Sequence, residues 1–236
     1  MKLPLINQKK KKLLIFGSAE IAELAAYYFS IDSDFQVVAF VVDDQYVSSS
    51  SKNKLPVIAW SQALLRFPPD KYFMHVALSY KGLNKLRESK FIQCQSAGYE
   101  LVSYISSKAT TFPDLVAGRN CFILENQNIQ PGVKLGDNVM LWSGNHIGHS
   151  SKIGSHAYLS SHIVVSGHVK IGKRCFIGVN ASIRDFIEIS DDCLIGMAST
   201  VTRDLESGSV VLGPRSEIID GSDDRASKII HKNFGD

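Results

Sequence analysis

The sequence predicts two joined architectures: a small α/β domain with a parallel, Rossmann-like sheet, followed by a parallel β-helix. Two observations carry this. An aliphatic residue returns at every sixth position from Ile123 to Val201: Ile123, Ile129, Leu135, Leu141, Ile147, Ile153, Leu159, Val165, Ile171, Ile177, Ile183, Ile189, Ile195, Val201. Ahead of it, Lys11 to Val42 reads as strand, small-residue turn, helix and strand. A helix repeats its apolar face every 3.6 residues and a lone strand every second. A period of six fits neither and marks a coil built of short strands.

Within the repeat, the residues two before each aliphatic are mostly small or apolar, as the interior of a narrow prism requires: Cys121, Val133, Val139, Ser151, Ala157, Val169, Cys175, Ala181, Cys193 and Ser199 among them. With three hexads to a coil, residues eighteen apart stack about 4.8 Å from one another. Glycine follows the aliphatic at Gly136, Gly148, Gly154, Gly172, Gly178 and Gly196, where the reading expects a corner with an unusual backbone angle.

Earlier in the chain, KKLLIF (Lys11–Phe16) forms a buried strand ending at Gly17-Ser18-Ala19, and Glu20 to Phe29 has helical spacing. Phe35 to Val42 is a second strand closing on Asp43-Asp44, which together make a βαβ unit. The glycine fingerprint is incomplete, so this turn alone is weak evidence for a nucleotide. Val47 to Asn53 is a polar loop, and Pro56 to Leu65 a short crossover. His75 to Leu78 is a third strand, with His75 buried and hydrogen-bonded. Leu83 to Ala97 is a helix, and Tyr99 to Ile105 the last strand before the coils. These features place the domains at residues 1–106, 107–214 and a C-terminal arm at 215–236, expected to cap the open end of the prism.

Composition narrows the function. The 236 residues carry a formal charge of +3, too little to argue for nucleic acid, and the basic run Lys9 to Lys12 reads as a solvated lead-in. No apolar run reaches the ~20 residues of a membrane span, and no signal peptide precedes the lysines, so a cytoplasmic protein is expected. Cys121, Cys175 and Cys193 follow the coil spacing and fill the core rather than bind metal. Five histidines lie in the repeat. His156, His162 and His168 stand six apart, a spacing that puts them on different faces, solvated, and no metal site is expected.

His149 stands apart from that series, in GNHIGHSSKIG (Gly144–Gly154). This passage, with IGKRCFIGVN (Ile171–Asn180), DDCLIGMASTVTRD (Asp191–Asp204) and Gly213-Pro214, resembles the left-handed hexapeptide-repeat sugar acetyltransferases. The resemblance is closest to those with a nucleotide-sugar-binding N-terminal domain, such as the bacterial UDP-4-amino-sugar N-acetyltransferases and the sialic-acid O-acetyltransferase group. It implies a left-handed β-helix, a homotrimer, and acetyl-CoA as co-substrate in the groove between adjacent subunits. His149 would be the general base that deprotonates a sugar amine, since imidazole titrates near working pH. Tyr158, Val179 and Met197 match cofactor contacts. Gly167, eighteen after His149, would stack over it and allow close approach, with a backbone N–H for the oxyanion. Gly17, Ser18, Ala19, Asp43, Asp44 and Ser79 would meet the nucleotide sugar.

The chain departs from the family pattern in places. Ser150 stands where relatives carry an acid after the histidine, Tyr158 replaces a second histidine, Glu20-Ile21 replaces a Gly-His, and Met197 replaces a glycine. The expected activity is N-acetylation of a nucleotide-linked amino sugar, of 4-amino-4,6-dideoxy type, for lipopolysaccharide or glycoprotein glycans. The alternatives are sugar O-acetylation and a non-catalytic trimeric nucleotide-sugar scaffold.

Overall fold

The computed structural model describes residues 10–47 and 51–235. Lys9 of the basic run and residues 48–50 of the polar loop lie outside the described residues.

The N-terminal strands are β1 (Lys11–Phe16), β2 (Phe35–Val42), β3 (Ser51–Lys52), β4 (Leu55–Ala59), β5 (Phe73–Val76) and β6 (Glu100–Leu101), with helices α1 (Glu20–Ile31), α2 (Trp60–Arg66) and α3 (Lys85–Ser96). They form one sheet in the order β3-β4-β2-β1-β5-β6. All neighbours are parallel except β3 with β4. The crossover expected around Pro56 is therefore partly a strand. β3 and β4 form a hairpin turned by Asn53 and Lys54 at φ 50° and 65°, the left-handed pair that a two-residue hairpin needs. The chain runs from β1 outward on one side and then crosses back to β5 on the other. The switch point, where ligands settle in open α/β sheets, thus lies beyond the C-terminal ends of β1 and β5.

The strand expected over Tyr99 to Ile105 divides in two. Glu100–Leu101 finishes the sheet, and Tyr104–Ile105 already pairs with Phe122–Ile123 as the first rung of the prism. From there the chain winds as a left-handed β-helix of two-residue strands in three faces. The first face has seven rungs, from Tyr104–Ile105 through Met140–Leu141, Tyr158–Leu159 and Phe176–Ile177 to Val210–Val211. The second holds Asn128–Ile129, His146–Ile147, Val164–Val165, Ser182–Ile183 and Thr200–Val201. The third runs from Val116–Ala117 through Lys152–Ile153 to Glu188–Ile189. Rungs pair eighteen residues apart, for example Leu141 with Leu159 and Ile147 with Val165. Both predicted residue sets are buried inside, and each fully buried aliphatic contributes roughly 1.5–3 kcal/mol before entropy is subtracted. Polar interior residues are tied to backbone: Asn145 Nδ2 donates to Trp142 O at 2.6 Å, and its Oδ1 accepts the Ile163 N–H at 2.8 Å.

The corners differ from expectation. The left-handed residue comes three after the aliphatic, not one: Asn120, Asn126, Gly132, Asn138, Gly144, Ser150, His156, His162, His168, Arg174, Asn180, Phe186, Asp192 and Ala198 all have φ between 56° and 82°. Asn, Asp and His are the non-glycine residues that best tolerate this region. The glycines that follow the aliphatics are needed for another reason. A Cβ on Gly148 would lie 2.4 Å from the backbone of Ser166, so the next coil leaves no room for a side chain.

The sheet domain is stapled to the prism by α3. Arg87, only 1% exposed, donates from Nη2 to His156 O at 2.8 Å and to Asn84 Oδ1 at 3.0 Å, and from Nη1 to Asn138 O. Asn84 in turn donates to Arg174 O at 2.9 Å. Helix α4 (Asp224–Phe234) buries none of its residues, so it does not cap the prism as expected.

Candidate active site

Two hollows open at the switch point. The smaller, about 570 Å³, is lined by Gly17, Ser18, Ala19, Asp43, Tyr46 and Lys90, among others. Gly17 is at φ 124°, and a Cβ there would lie 2.7 Å from Ala77 O, so the turn after β1 admits only glycine. Lys52 Nζ donates to Ser18 O at 2.6 Å and pairs with Glu23 at 2.5 Å, bracing that turn. The larger hollow, about 980 Å³, runs from Ala19 and Glu20 past Ser79, Tyr80 and Lys81 to Trp142 on the prism. Ala19 offers no side-chain cap to α1, which leaves the first amides of the helix without one beside both hollows.

The two acids after β2 have different duties. Asp43 faces the smaller hollow and pairs with Lys90 at 2.6 Å. Asp44 turns away: its Oδ1 accepts the Ser61 N–H at 3.0 Å, a bond that holds its carboxyl below the usual carboxylate range.

A third hollow of about 520 Å³ joins the large one at Tyr80 and Trp142 and continues along the first face past Tyr158, Phe176, Val179 and Met197. Tyr158 is 4% exposed, stacked on Phe176 at 5.4 Å and 18°, and burial pushes its phenol up to about 12. Val179 and Met197 are exposed at the mouth. Glu125, one coil before Ser143, accepts from Tyr28 and from Ser143, both at 2.7 Å, and these bonds hold its carboxyl low against the opposing effect of its burial. Sequence reasoning missed Tyr80, Trp142 and Phe176. An aromatic just before the aliphatic, as at Tyr158 and Phe176, was the available signal that the first face is covered.

The corner rule accounts for three of the five repeat histidines. His156, His162 and His168 occupy left-handed positions. His156 is not solvated, as expected, but buried against α3. Its Nδ1 lies 2.9 Å from Asn138 Nδ2 and its Nε2 3.5 Å from Glu88, and burial lowers its basicity. His146 is a rung residue. His75 is buried as expected but only half satisfied. Nδ1 meets Val102 O at 2.9 Å, Nε2 has no partner among the described residues, and burial brings its pKa down to about 4.

His149 belongs to neither group. It is exposed on the edge between the second and third faces, where its backbone N–H donates to Gln130 Oε1 at 2.9 Å. A Cβ on Gly167 would lie 2.7 Å from His149 Nε2, so only glycine on the next coil leaves that nitrogen its place. The Gly167 N–H has no acceptor among the described residues. This edge is separated from the hollows by the whole second face. Within one chain, therefore, His149 and the Tyr158, Val179 and Met197 lining stand apart. No group of His, Cys, Asp or Glu suited to a metal ion occurs among the described residues, nor any helix long and apolar enough to cross a membrane.

Residues 168–203 match the family model described as hexapeptide repeat of succinyl-transferase. No curated protein matches the sequence significantly. Among solved structures, the acetyltransferase domain of PglB from Neisseria gonorrhoeae in complex with acetyl coenzyme A is similar at 21% identity and TM-score 0.78, over 89% of this chain and 100% of that one. PerB from Caulobacter crescentus in complex with CoA and GDP-perosamine is similar at 22% identity and TM-score 0.76, over 89% and 97%. A mutant of perosamine N-acetyltransferase from the same organism, with one histidine replaced by asparagine, superposes with TM-score 0.78 at 22% identity, again over 89% and 97%. At these identities the likeness establishes the shared fold.

Proposed function

We propose that the chain is an acetyl-CoA-dependent N-acetyltransferase whose acceptor is a nucleotide-linked amino sugar, with His149 as the general base. The observation that carries this is the setting of His149. It is exposed, its position follows neither from a corner nor from a rung, and the glycine above it keeps its Nε2 clear. The neighbours add weight, being described as complexes with acetyl coenzyme A or with CoA and GDP-perosamine.

In this reading the hollows at the switch point hold the nucleotide sugar. Ser18, Ala19 and Ser79 line them, Gly17 lets the backbone approach, and Lys81 supplies positive charge, that of Lys90 being paired with Asp43. An ammonium group is no nucleophile. His149 takes its proton, the freed amine nitrogen bonds to the thioester carbonyl carbon, and the carbon–sulfur bond then breaks. The imidazolium passes that proton to the departing thiolate, and the second proton, still on the nitrogen after attack, is lost to the freed imidazole and on to solvent, leaving a neutral amide. Charge developing on the carbonyl oxygen needs a fixed donor, and in this reading the Gly167 N–H, which has no acceptor among the described residues, supplies it. Because His149 and the hollows of one chain lie on different edges, the site closes only when a second copy brings its edge to the first. A threefold ring satisfies every copy in the same way. Such an enzyme would work in the cytoplasm, supplying surface glycans such as lipopolysaccharide.

The test is release of free thiol from acetyl-CoA in the presence of UDP-, dTDP- and GDP-linked amino sugars and their hydroxyl analogues. Turnover of an amino sugar that is lost in His149→Asn supports the reading. Turnover of the hydroxyl analogue alone would make it an O-acetyltransferase. No turnover across the panel would refute it.

A further inference from the structure

Beside His149 the chain carries an expensive feature. Phe186 is the one bulky aromatic among the left-handed corner residues, at φ 58°, where a large side chain is an outlier. Burial does not compensate, since Phe186 is 71% exposed. What it does is lie flat on His168, with ring centroids 4.8 Å apart and planes within 5°. His168 in turn meets the His149 ring at 4.9 Å and 89°, edge to face. The three residues sit on successive coils of one edge, with His168 between the other two. Rings at these separations attract one another in these two orientations. The ring of His149 has no hydrogen bond among the described residues, and Ser150, beside it, is itself a left-handed corner. The charged groups lining the hollow alongside are Lys152, Lys170 and Glu188, and the last two pair with each other at 3.0 Å.

We propose that His168, held in place by Phe186, is a positioning residue that fixes the ring orientation of the catalytic base by aromatic contact. This rests on the reading of His149 as the base. A carboxylate partner would orient an imidazole through one nitrogen. A ring contact orients it without a hydrogen bond to either nitrogen, and neither nitrogen has one among the described residues. The chain accepts backbone strain at Phe186 in return for a base held in one pose.

Three variants test this: His168→Asn and Phe186→Asn, which suit the left-handed corner but remove a ring, and Phe186→Tyr, which keeps it. Each asparagine variant should lower kcat about tenfold with KM for both substrates little changed, because a small misplacement of a reacting group is costly in rate. Phe186→Tyr should retain the parent kcat. Phe186→Asn should melt no lower than the parent, and higher if strain is relieved, which separates positioning from general loss of fold. The ring-proton NMR resonances of His149, assigned by their absence in His149→Asn, should move in both asparagine variants. Unmoved resonances, or a kcat within twofold of the parent, would overturn the proposal, as would a fall in melting temperature that parallels the activity loss. If the wild-type chain transfers no acetyl group, the functional reading fails and the resonances still decide whether the rings hold His149. If His149→Asn is inactive and both asparagine variants are active, only the positioning role falls.

Discussion

Gly167→Ala is the sharpest single perturbation of the site. The added methyl would stand 2.7 Å from His149 Nε2 and 2.9 Å from Cε1, against an ordinary contact of about 3.5 Å or more. The imidazole must therefore retreat by about 0.8 Å. Little else changes, because residue 167 has no left-handed φ to disfavour alanine and the atoms it meets are the tip of a side chain that can swing. Stability should stay within about 0.5 kcal/mol of the parent, as for a surface substitution. A base moved by nearly 1 Å costs on the order of a hundredfold in rate, about 2.7 kcal/mol of transition-state stabilisation. Initial rates at saturating acetyl-CoA with varied acceptor would read this as a fall in kcat with KM nearly unchanged. A kcat within threefold of the parent, at equal melting temperature, would show that His149 Nε2 does not have to occupy that place.

Two further predictions concern the frame. Arg87→Met leaves the buried carbonyls of Asn138 and His156 without their donor, at about 1–3 kcal/mol for each left unsatisfied, while Ala157 O keeps the Met140 N–H; release of a desolvated charge offsets part of this. A net loss of about 3 kcal/mol is expected in urea unfolding, and a neutral or stabilising result would mean that desolvation outweighs the staple. His75 is held neutral, its pKa brought from 6.5 down to about 4. Between these values the unfolded chain binds a proton that the folded one does not, so stability falls as pH drops through that window and the loss saturates below it. The contribution is on the order of 3 kcal/mol across the window. His75→Gln should flatten this part of the stability–pH profile, and an unchanged slope would remove His75 as the cause.

The prism was legible because a six-residue period is written into every rung, from Ile123 to Val201, and needs no knowledge of distant partners. The corners were harder. Glycine after the aliphatic suggested a turn, yet its cause is the backbone of the next coil, which no local pattern reports. The corner residue hid in plain view as Asn120, Asn126, Asn138 and Asn180, and the same rule turns His156, His162 and His168 from a suggestive series into a backbone preference. Arg87, Asn84 and Glu88 could not be read at all. At and just before the start of α3 they are ordinary polar residues, and only the docking of that helix on the prism buries Asn84 and Arg87 and half-covers Glu88. Of the candidate site, the resemblance named Gly17, Ser79, Val179 and Met197, and all four lie in the walls of the hollows. Asp44 did not reveal that it caps a helix, since one acid beside another gives no hint which will turn inward.

The left-handed corners also shape how such a chain can change over generations. At each of them the backbone restricts the alphabet to a few residue types, but it takes no interest in what those types can do chemically. Histidine is among them, so imidazoles can accumulate around the prism as neutral spelling, with no demand that they work. Where one of them stands next to an edge proposed for chemistry, as His168 stands next to His149, a use can be found for a residue the fold already tolerates. Phe186, on the next coil of the same edge, is a corner residue outside the Asn, Asp and His group, as Arg174 and Ala198 are elsewhere on the prism, and it differs from them in lying flat on a neighbouring ring.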